Sequence, residues 1–209
     1  VEGRAAELSE SGVAVRPAAA ADVPLLAAIE VAAGERFRSV GMDDIADDEP
    51  LPEAELLAAV ADGRLWVAEL GAVAELDDGD RSRAIAAEGA GQVGPAGAAG
   101  VAVVGYALAI GDAGHAHLEQ VSVVPWAGGR GVGAALVDAV AEWGRRQGAS
   151  SLTLATFAEL PWNAPWYRRL GFEVVPEEEL DDELRAVIAH EVALGLDVSA
   201  RVCMRRPLT

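Results

Sequence analysis

The stretch Leu118 to Leu136, LEQVSVVPWAGGRGVGAAL, constrains this chain more than any other. It opens as a strand, with Glu119, Val121 and Val123 on one face and Leu118, Gln120 and Ser122 on the other. Pro125 ends that strand, because it has no N–H to give a ladder. Gly128, Gly129, Gly131 and Gly133 follow. A helical pattern then runs over Ala134 to Gln147. Leu136, Val140 and Trp143 recur on one side, and Asp138, Glu142 and Arg146 on the other. Strand, glycine loop and helix in that order let the backbone close tightly on a ligand. The first helical turn adds unpaired N–H groups and the positive end of a dipole. Together they form an anion site suited to a pyrophosphate.

Several nucleotide loops share this outline; one is excluded and a second is disfavoured. A P-loop ends in Gly-Lys-Ser/Thr, and the chain contains no lysine. The dinucleotide fingerprint fits only if forced onto Gly129, Gly131 and Ala134, and it calls for an acid about 20 residues on. That distance lands at Ser150 to Leu154, where there is none. The stretch resembles the GNAT superfamily, the acetyl-CoA-dependent N-acetyltransferases, whose signature is a strand, then Arg/Gln-x-x-Gly-x-Gly/Ala, then a helix. Gly131 and Gly133 match its glycines. Gly128 stands where the family prefers Arg or Gln, and Arg130 lies two residues on. The resemblance implies an α/β fold, a mixed, mainly antiparallel central sheet flanked by helices. It implies acetyl-CoA as co-substrate, held by Val121, Ser122, Val123, Gly128, Gly129, Arg130, Gly131, Val132, Gly133 and Ala134.

Composition narrows the setting. The chain has 209 residues and 52% hydrophobic content, enough for one domain with a substantial core. No apolar run is long enough to span a membrane, and the first residues lack a signal peptide's apolar core, so a cytoplasmic protein is expected. One cysteine, Cys203, excludes an internal disulfide and a cysteine-rich zinc site, and the three histidines supply no metal set. A net charge of -18 disfavours nucleic acid and anionic membrane as partners and is compatible with a cationic amine. A homodimer is left open.

Residues 1–11 read as a disordered tail and 12–209 as one domain. A first strand is expected at Gly12 to Arg16, then a helix capped by Asp22 and running to about Ala33. A second helix spans Pro52 to Ala61, with Leu56, Leu57 and Val60 inward, and a second strand Arg64 to Leu70. The Gly- and Ala-rich residues 71–100 have no sustained period and read as a disordered insertion. Strands follow at Val101 to Ile110, from near His115, at Ser151 to Phe157 and at Gly171 to Val175. Helices are expected at Pro161 to Leu170 and Glu177 to Leu194, and a last strand at Ala200 to Arg205.

Acetyl transfer to an amine needs a base for the amine, donors for the oxyanion, and a proton or hydrogen bond for the departing thiolate. By the resemblance, Glu119 is the base, direct or through water, with its pKa raised by partial burial. The plainer reading is a structural carboxylate. Trp166-Tyr167-Arg168-Arg169-Leu170-Gly171-Phe172 resembles the family's aromatic-Tyr-x-x-x-Gly-Phe segment, which makes Tyr167 the acid beside the coenzyme sulfur. Asn163 either bonds the pantetheine arm or caps the short helix. The backbone of Val121 to Val123 is expected to pair with pantetheine amides as an added strand would. His117 is a second base, a relay, or a polar residue at the cleft mouth. Glu35, Arg36 and Phe37 fall in the loop where the family builds its acceptor site, and Trp162 joins them. For this group, helix-end solvation and packing is an equal reading. Cys203 reads as core. The implied activity is direct transfer of acetyl to a primary amine of a small molecule or peptide. The alternative is a non-catalytic acyl-CoA sensor, against which Glu119 and Tyr167 both argue.

Overall fold

A computed structural model describes residues 12–71, 101–111, 114–193 and 200–208. The expected tail at 1–11, and the insertion apart from residue 71, lie outside these residues. The strands are β1 (Val13–Pro17), β2 (Leu65–Leu70), β3 (Ala102–Ile110), β4 (Ala116–Val123), β5 (Ser151–Phe157), β6 (Glu173–Val174) and β7 (Arg201–Pro207). The helices are α1 (Val23–Gly34), α2 (Asp43–Ala46), α3 (Glu53–Ala61), α4 (Val132–Arg146), α5 (Ala164–Arg169) and α6 (Asp182–Ala193). The strands make one mixed sheet in the order β1-β2-β3-β4-β5-β7-β6. Pairs β1–β2, β2–β3, β5–β7 and β6–β7 are antiparallel, and β4–β5 is parallel. This is the mixed α/β sheet expected from the sequence. The chain divides into two compact units, Val1–Leu108 with Gln120–Val140, and Ala109–Glu119 with Ala141–Thr209.

In the first unit β3 is buried along its length, as its unbroken apolar sequence requires of a central strand. Gly105 lets β4 come close: a Cβ there would lie 2.7 Å from the Ser122 carbonyl oxygen and 3.3 Å from Leu136 Cδ1. Helix α1 buries Val23, Leu26 and Ile29. Helix α3 buries Leu56 and Ala59, but Leu57, expected inward, is 39% exposed. Position 57 stands about 100° round the helix from 56, off the stripe that 56 and 59 define. Asp22 also departs from expectation. It precedes α1 without capping it, and its carboxylate instead accepts from Arg16 Nη1 and Nη2 at 2.7 and 2.9 Å and from Ala19 N–H at 2.7 Å. Burial opposes the Asp22 charge, but the Arg16 hydrogen bonds and charge, with the Ala19 N–H, hold its carboxyl below the usual range. The loop expected after Gly34 is instead a 3-10 turn, Glu35–Val40, followed by α2. Arg38 ties the two together through Glu35, Asp43 and Asp47.

In the second unit the β4–β5 ladder covers only Ala116–Leu152 and His117–Thr153. Strand β7 pairs with all of β5 and ends at Pro207, two residues past the expected end. Cys203 is buried with Val175 and Leu184, a core position as expected. The acidic run does not form one helix with α6. Glu177–Glu179 is a 3-10 turn, Leu180 is extended, and the Asp181 carboxylate accepts the Leu184 N–H at 2.9 Å to start α6. Helix α5 is shorter than expected, and β6 is only Glu173–Val174.

Candidate active site

The anion loop is built within the first unit. Val124 leaves β4 with its N–H on the Val104 carbonyl at 2.9 Å, and Pro125–Ala127 form a 3-10 turn. Gly129 and Gly131 have φ of 76° and 83°, a region that side chains rarely tolerate. The helix begins at Val132, two residues before the expected Ala134. Its first backbone bond runs from Ala135 N–H to Gly131 O at 3.0 Å. The amides of Val132, Gly133 and Ala134 therefore lie ahead of the helical ladder, where an anion can take them. The departure at Gly128 has a local reason. A Cβ there would lie 3.1 Å from the Pro125 carbonyl oxygen, crowding the turn. Arg130 is half-buried. Ser122 is buried, and Val121 and Val123 are half-buried.

Helix α5 and its flanks carry the second set, within the second unit. Asn163 stands before α5, where its carbonyl accepts from Trp166 N–H at 2.8 Å and Tyr167 N–H at 3.0 Å. Its side chain does not cap the helix. Asn163 Nδ2 instead donates to Thr156 Oγ1 at 2.6 Å, and Asn163 Oδ1 is buried without a partner among the described residues. A buried acceptor left unmade costs roughly 1–3 kcal/mol, and a ligand N–H would remove that cost. Tyr167 is 7% exposed, its ring edge-on to Trp166 at 4.7 Å and Phe172 at 5.5 Å. Burial pushes its phenol up, against the opposing charge of Arg201, so the hydroxyl stays protonated as a donor. Trp162 is half-buried.

Two residues of β4 are placed otherwise than expected. Glu119 is exposed, so the partial burial expected of a base is not there. His117 is 8% exposed rather than at a cleft mouth. Its Nδ1 lies 2.9 Å from Thr153 Oγ1, and that hydroxyl donates to the Ala116 carbonyl at 3.2 Å. With its one proton so committed, Thr153 accepts from His117 Nδ1–H, which leaves Nε2 without a proton. Burial lowers the His117 pKa from 6.5 to about 4, too low for a base near neutrality. The unfolded chain therefore takes up a proton that the folded one refuses, and stability falls as pH drops from about 6.5 toward 4. At roughly 1.4 kcal/mol per tenfold in proton affinity, the loss reaches about 3 kcal/mol. Denaturant unfolding of His117→Gln is expected to show a flatter pH dependence over that window. An unchanged slope would place the loss elsewhere.

Glu35 and Arg36 are both exposed, although the desolvation that Arg36 does meet lowers its pKa. Phe37 is half-buried in the same 3-10 turn. Sequence reasoning passed over Glu30, although it lies on the apolar stripe of α1 with Leu26 and Ile29. Tyr106 Oη donates to Glu30 Oε2 at 2.5 Å, Leu51 N–H to the same oxygen at 3.3 Å, and Gln120 Nε2 to Oε1 at 3.1 Å. Gln120 Nε2 also reaches Ser122 Oγ at 3.2 Å. An acid on an apolar stripe was the signal that could have found it. Among the described residues, no group of three or more His, Cys, Asp or Glu is placed to hold a metal ion, and no helix is long and apolar enough to cross a membrane.

Residues 68–172 match the sequence model of the Acetyltransferase (GNAT) family. Among solved structures the chain is similar to Rv2747 from Mycobacterium tuberculosis in complex with CoA. Identity is 19% and the TM-score 0.57, over 93% of this chain and 99% of that one. It is similar at 17% identity and TM-score 0.57 to N-acetylglutamate synthase from Neisseria gonorrhoeae complexed with coenzyme A and N-acetyl-glutamate, covering 96% of this chain and 36% of that one. The ribosomal-protein-S18-alanine N-acetyltransferase from Escherichia coli matches at 14% identity and TM-score 0.54, over 94% of each chain. At these identities the likeness is one of fold.

Proposed function

The chain belongs to the GNAT acetyltransferase family, and on that footing we propose that it moves the acetyl group of acetyl-CoA directly to a primary amine of a small molecule or peptide. The observation that carries this reading is the loop Gly128 to Gly133, with its two left-handed glycines opening onto the first turn of α4. That loop suits the coenzyme diphosphate. The β4–β5 ladder stops at His117 among the described residues, which leaves the backbone of Val121 to Val123 for the pantetheine amides. The buried, unpartnered Asn163 Oδ1 fits a pantetheine N–H.

Acetyl-CoA supplies an activated thioester. The amine nitrogen attacks its carbonyl carbon, and Glu119, directly or through a water, takes the amine proton. A backbone N–H of Val121 to Val123 donates to the oxyanion. The C–S bond then breaks, and the Tyr167 hydroxyl donates to the leaving thiolate. Glu35, Arg36, Phe37 and Trp162 are assigned to the acceptor side.

Thermal shift tests the assignment. CoA and acetyl-CoA are expected to stabilise the protein and NAD is not. Ligand at about 100 times its dissociation constant adds about 2.7 kcal/mol. Gly131→Asp places a side chain at φ 83° and a negative charge at the anion loop, so the CoA shift is expected to vanish. A folded Gly131→Asp protein with the full CoA shift would reduce the loop to a structural turn.

A further inference from the structure

Asp22 and Glu30 are both drawn well into the first unit, yet they are held in opposite ways. Asp22 faces a guanidinium, Arg16, which holds its charge in place. Every described partner of Glu30 is neutral: the Tyr106 hydroxyl, the Leu51 amide and the Gln120 amide. Burial pushes the Glu30 carboxyl above its usual range, the hydrogen bonds from Tyr106 and Leu51 pull it back in part, and the charges of Asp48 and Glu55 add to the rise. A carboxylate so placed, with like charges beside it and no cation among its described partners, weakens the fold unless something offsets it. Glu30 is only half-buried, so it remains open to a ligand. Its two oxygens offer about four lone-pair directions, and the three donors use three of them.

We propose that Glu30 is the acceptor-docking residue of the transfer reaction, receiving the positively charged amino group of the acceptor on its carboxylate while Tyr106 and Gln120 hold that carboxylate in place. The proposal rests on the N-acetyltransferase reading and names the substrate class: amines that are cationic when they bind. An ammonium is three donors with no acceptor, so it completes the hydrogen bonding of Glu30 without displacing Tyr106 or Gln120. Asp48 and Glu55, which oppose the lone Glu30 charge, attract that cation. The placement also fits. Gln120 precedes Val121 to Val123, the backbone assigned to the coenzyme, and Glu30 lies on α1, which runs directly into the turn carrying Glu35 to Phe37. Tyr106 is fully buried on β3, so its hydroxyl is a fixed donor that sets the direction of the carboxylate.

Glu30→Gln keeps shape and removes charge. Its amide oxygen still accepts from Tyr106 and Leu51, and Gln120 can turn its own amide to match. The probes are size-matched pairs, benzylamine with benzyl alcohol and n-butylamine with butan-1-ol, titrated onto the protein saturated with CoA and followed by ligand-observed NMR. The parent is expected to bind each amine about tenfold or more tightly than its alcohol. Glu30→Gln is expected to lose that preference while keeping the parent's CoA thermal shift. A parent without amine preference, or a Glu30→Gln protein that retains it, overturns the proposal. Should Glu30→Gln not fold, Glu30→Asp withdraws the charge by one methylene and is expected to lower the amine preference without changing alcohol affinity; a preference equal to the parent's overturns the proposal as well. Failure of the acetyltransferase reading would show differently, as a parent protein that CoA does not stabilise.

Discussion

Tyr167→Phe is expected to lower turnover by about 10²–10⁴-fold, the range typical of a lost general acid, while leaving CoA binding intact. The ring is retained, and with it the edge contacts to Trp166 and Phe172, so the fold of α5 should not change. What goes is one hydroxyl proton, needed when the C–S bond breaks and charge collects on sulfur. Burial raises the phenol above its ordinary value, which keeps that proton in place through the alkaline range. Ionisation of Tyr167 should therefore not produce an alkaline fall in rate in the parent enzyme. The pH profile alone does not isolate Tyr167, because a thiolate leaves more readily at high pH. Acceptor basicity does: a weakly basic amine, already neutral near pH 7, still requires the departing sulfur to be stabilised. Tyr167→Phe should be slow with weakly and strongly basic amines alike. Turnover at the parent's rate with both would remove Tyr167 from the mechanism.

Glu119→Gln should give the complementary pattern, with a loss in the same range of about 10²–10⁴-fold. The substitution keeps size at an exposed strand position, so little stability is at stake. The defect should be largest at low and neutral pH, where a strongly basic amine arrives protonated. It should shrink at high pH, where solvent has already removed the proton. A weakly basic amine should bypass Glu119 while still needing Tyr167. Steady-state thiol release with a strongly basic amine at neutral pH decides the matter. If Glu119→Gln keeps pace with the parent there, the proton goes to an ordered water or to Glu30. His117 is a poor successor, since burial holds it neutral down to about pH 4.

The elements that repeat over short distances were legible in the sequence. The strand, the glycine loop and the helix of residues 116–146 follow from side-chain alternation, a proline, four closely spaced glycines and an apolar stripe at Leu136, Val140 and Trp143. Each of these signals is local, because a few neighbouring φ and ψ angles and one face of one element satisfy it. Ends were less legible. Helix α6 starts at Asp182 because the Asp181 carboxylate caps it, and the acidic residues before it form a separate turn. A run of good helix formers does not reveal which of several acids will take the capping position.

The sequence by itself determined the individual strands and helices and the strand, glycine loop and helix of residues 116–146, since each is written in contiguous residues, while the mixed sheet was implied by the family resemblance. Only the tertiary structure decided how the polar side chains are matched. Asp22 reads as a helix cap until β1 brings Arg16 to it, and Arg16 in turn reaches Glu69 across 53 residues. His117 reads as a second base, a relay or a polar residue at the cleft mouth until the parallel ladder sets it on Thr153 and buries it. Glu30 stands on the apolar stripe of α1, but its partners come only when the sheet delivers Tyr106 from 76 residues away and Gln120 from 90. The physical reason is common to all three. Periodicity states which face of an element leaves water, but a polar group on that face must find its donor or acceptor in whatever strand is laid against it. That partner is fixed by strand order and register, which no local pattern carries.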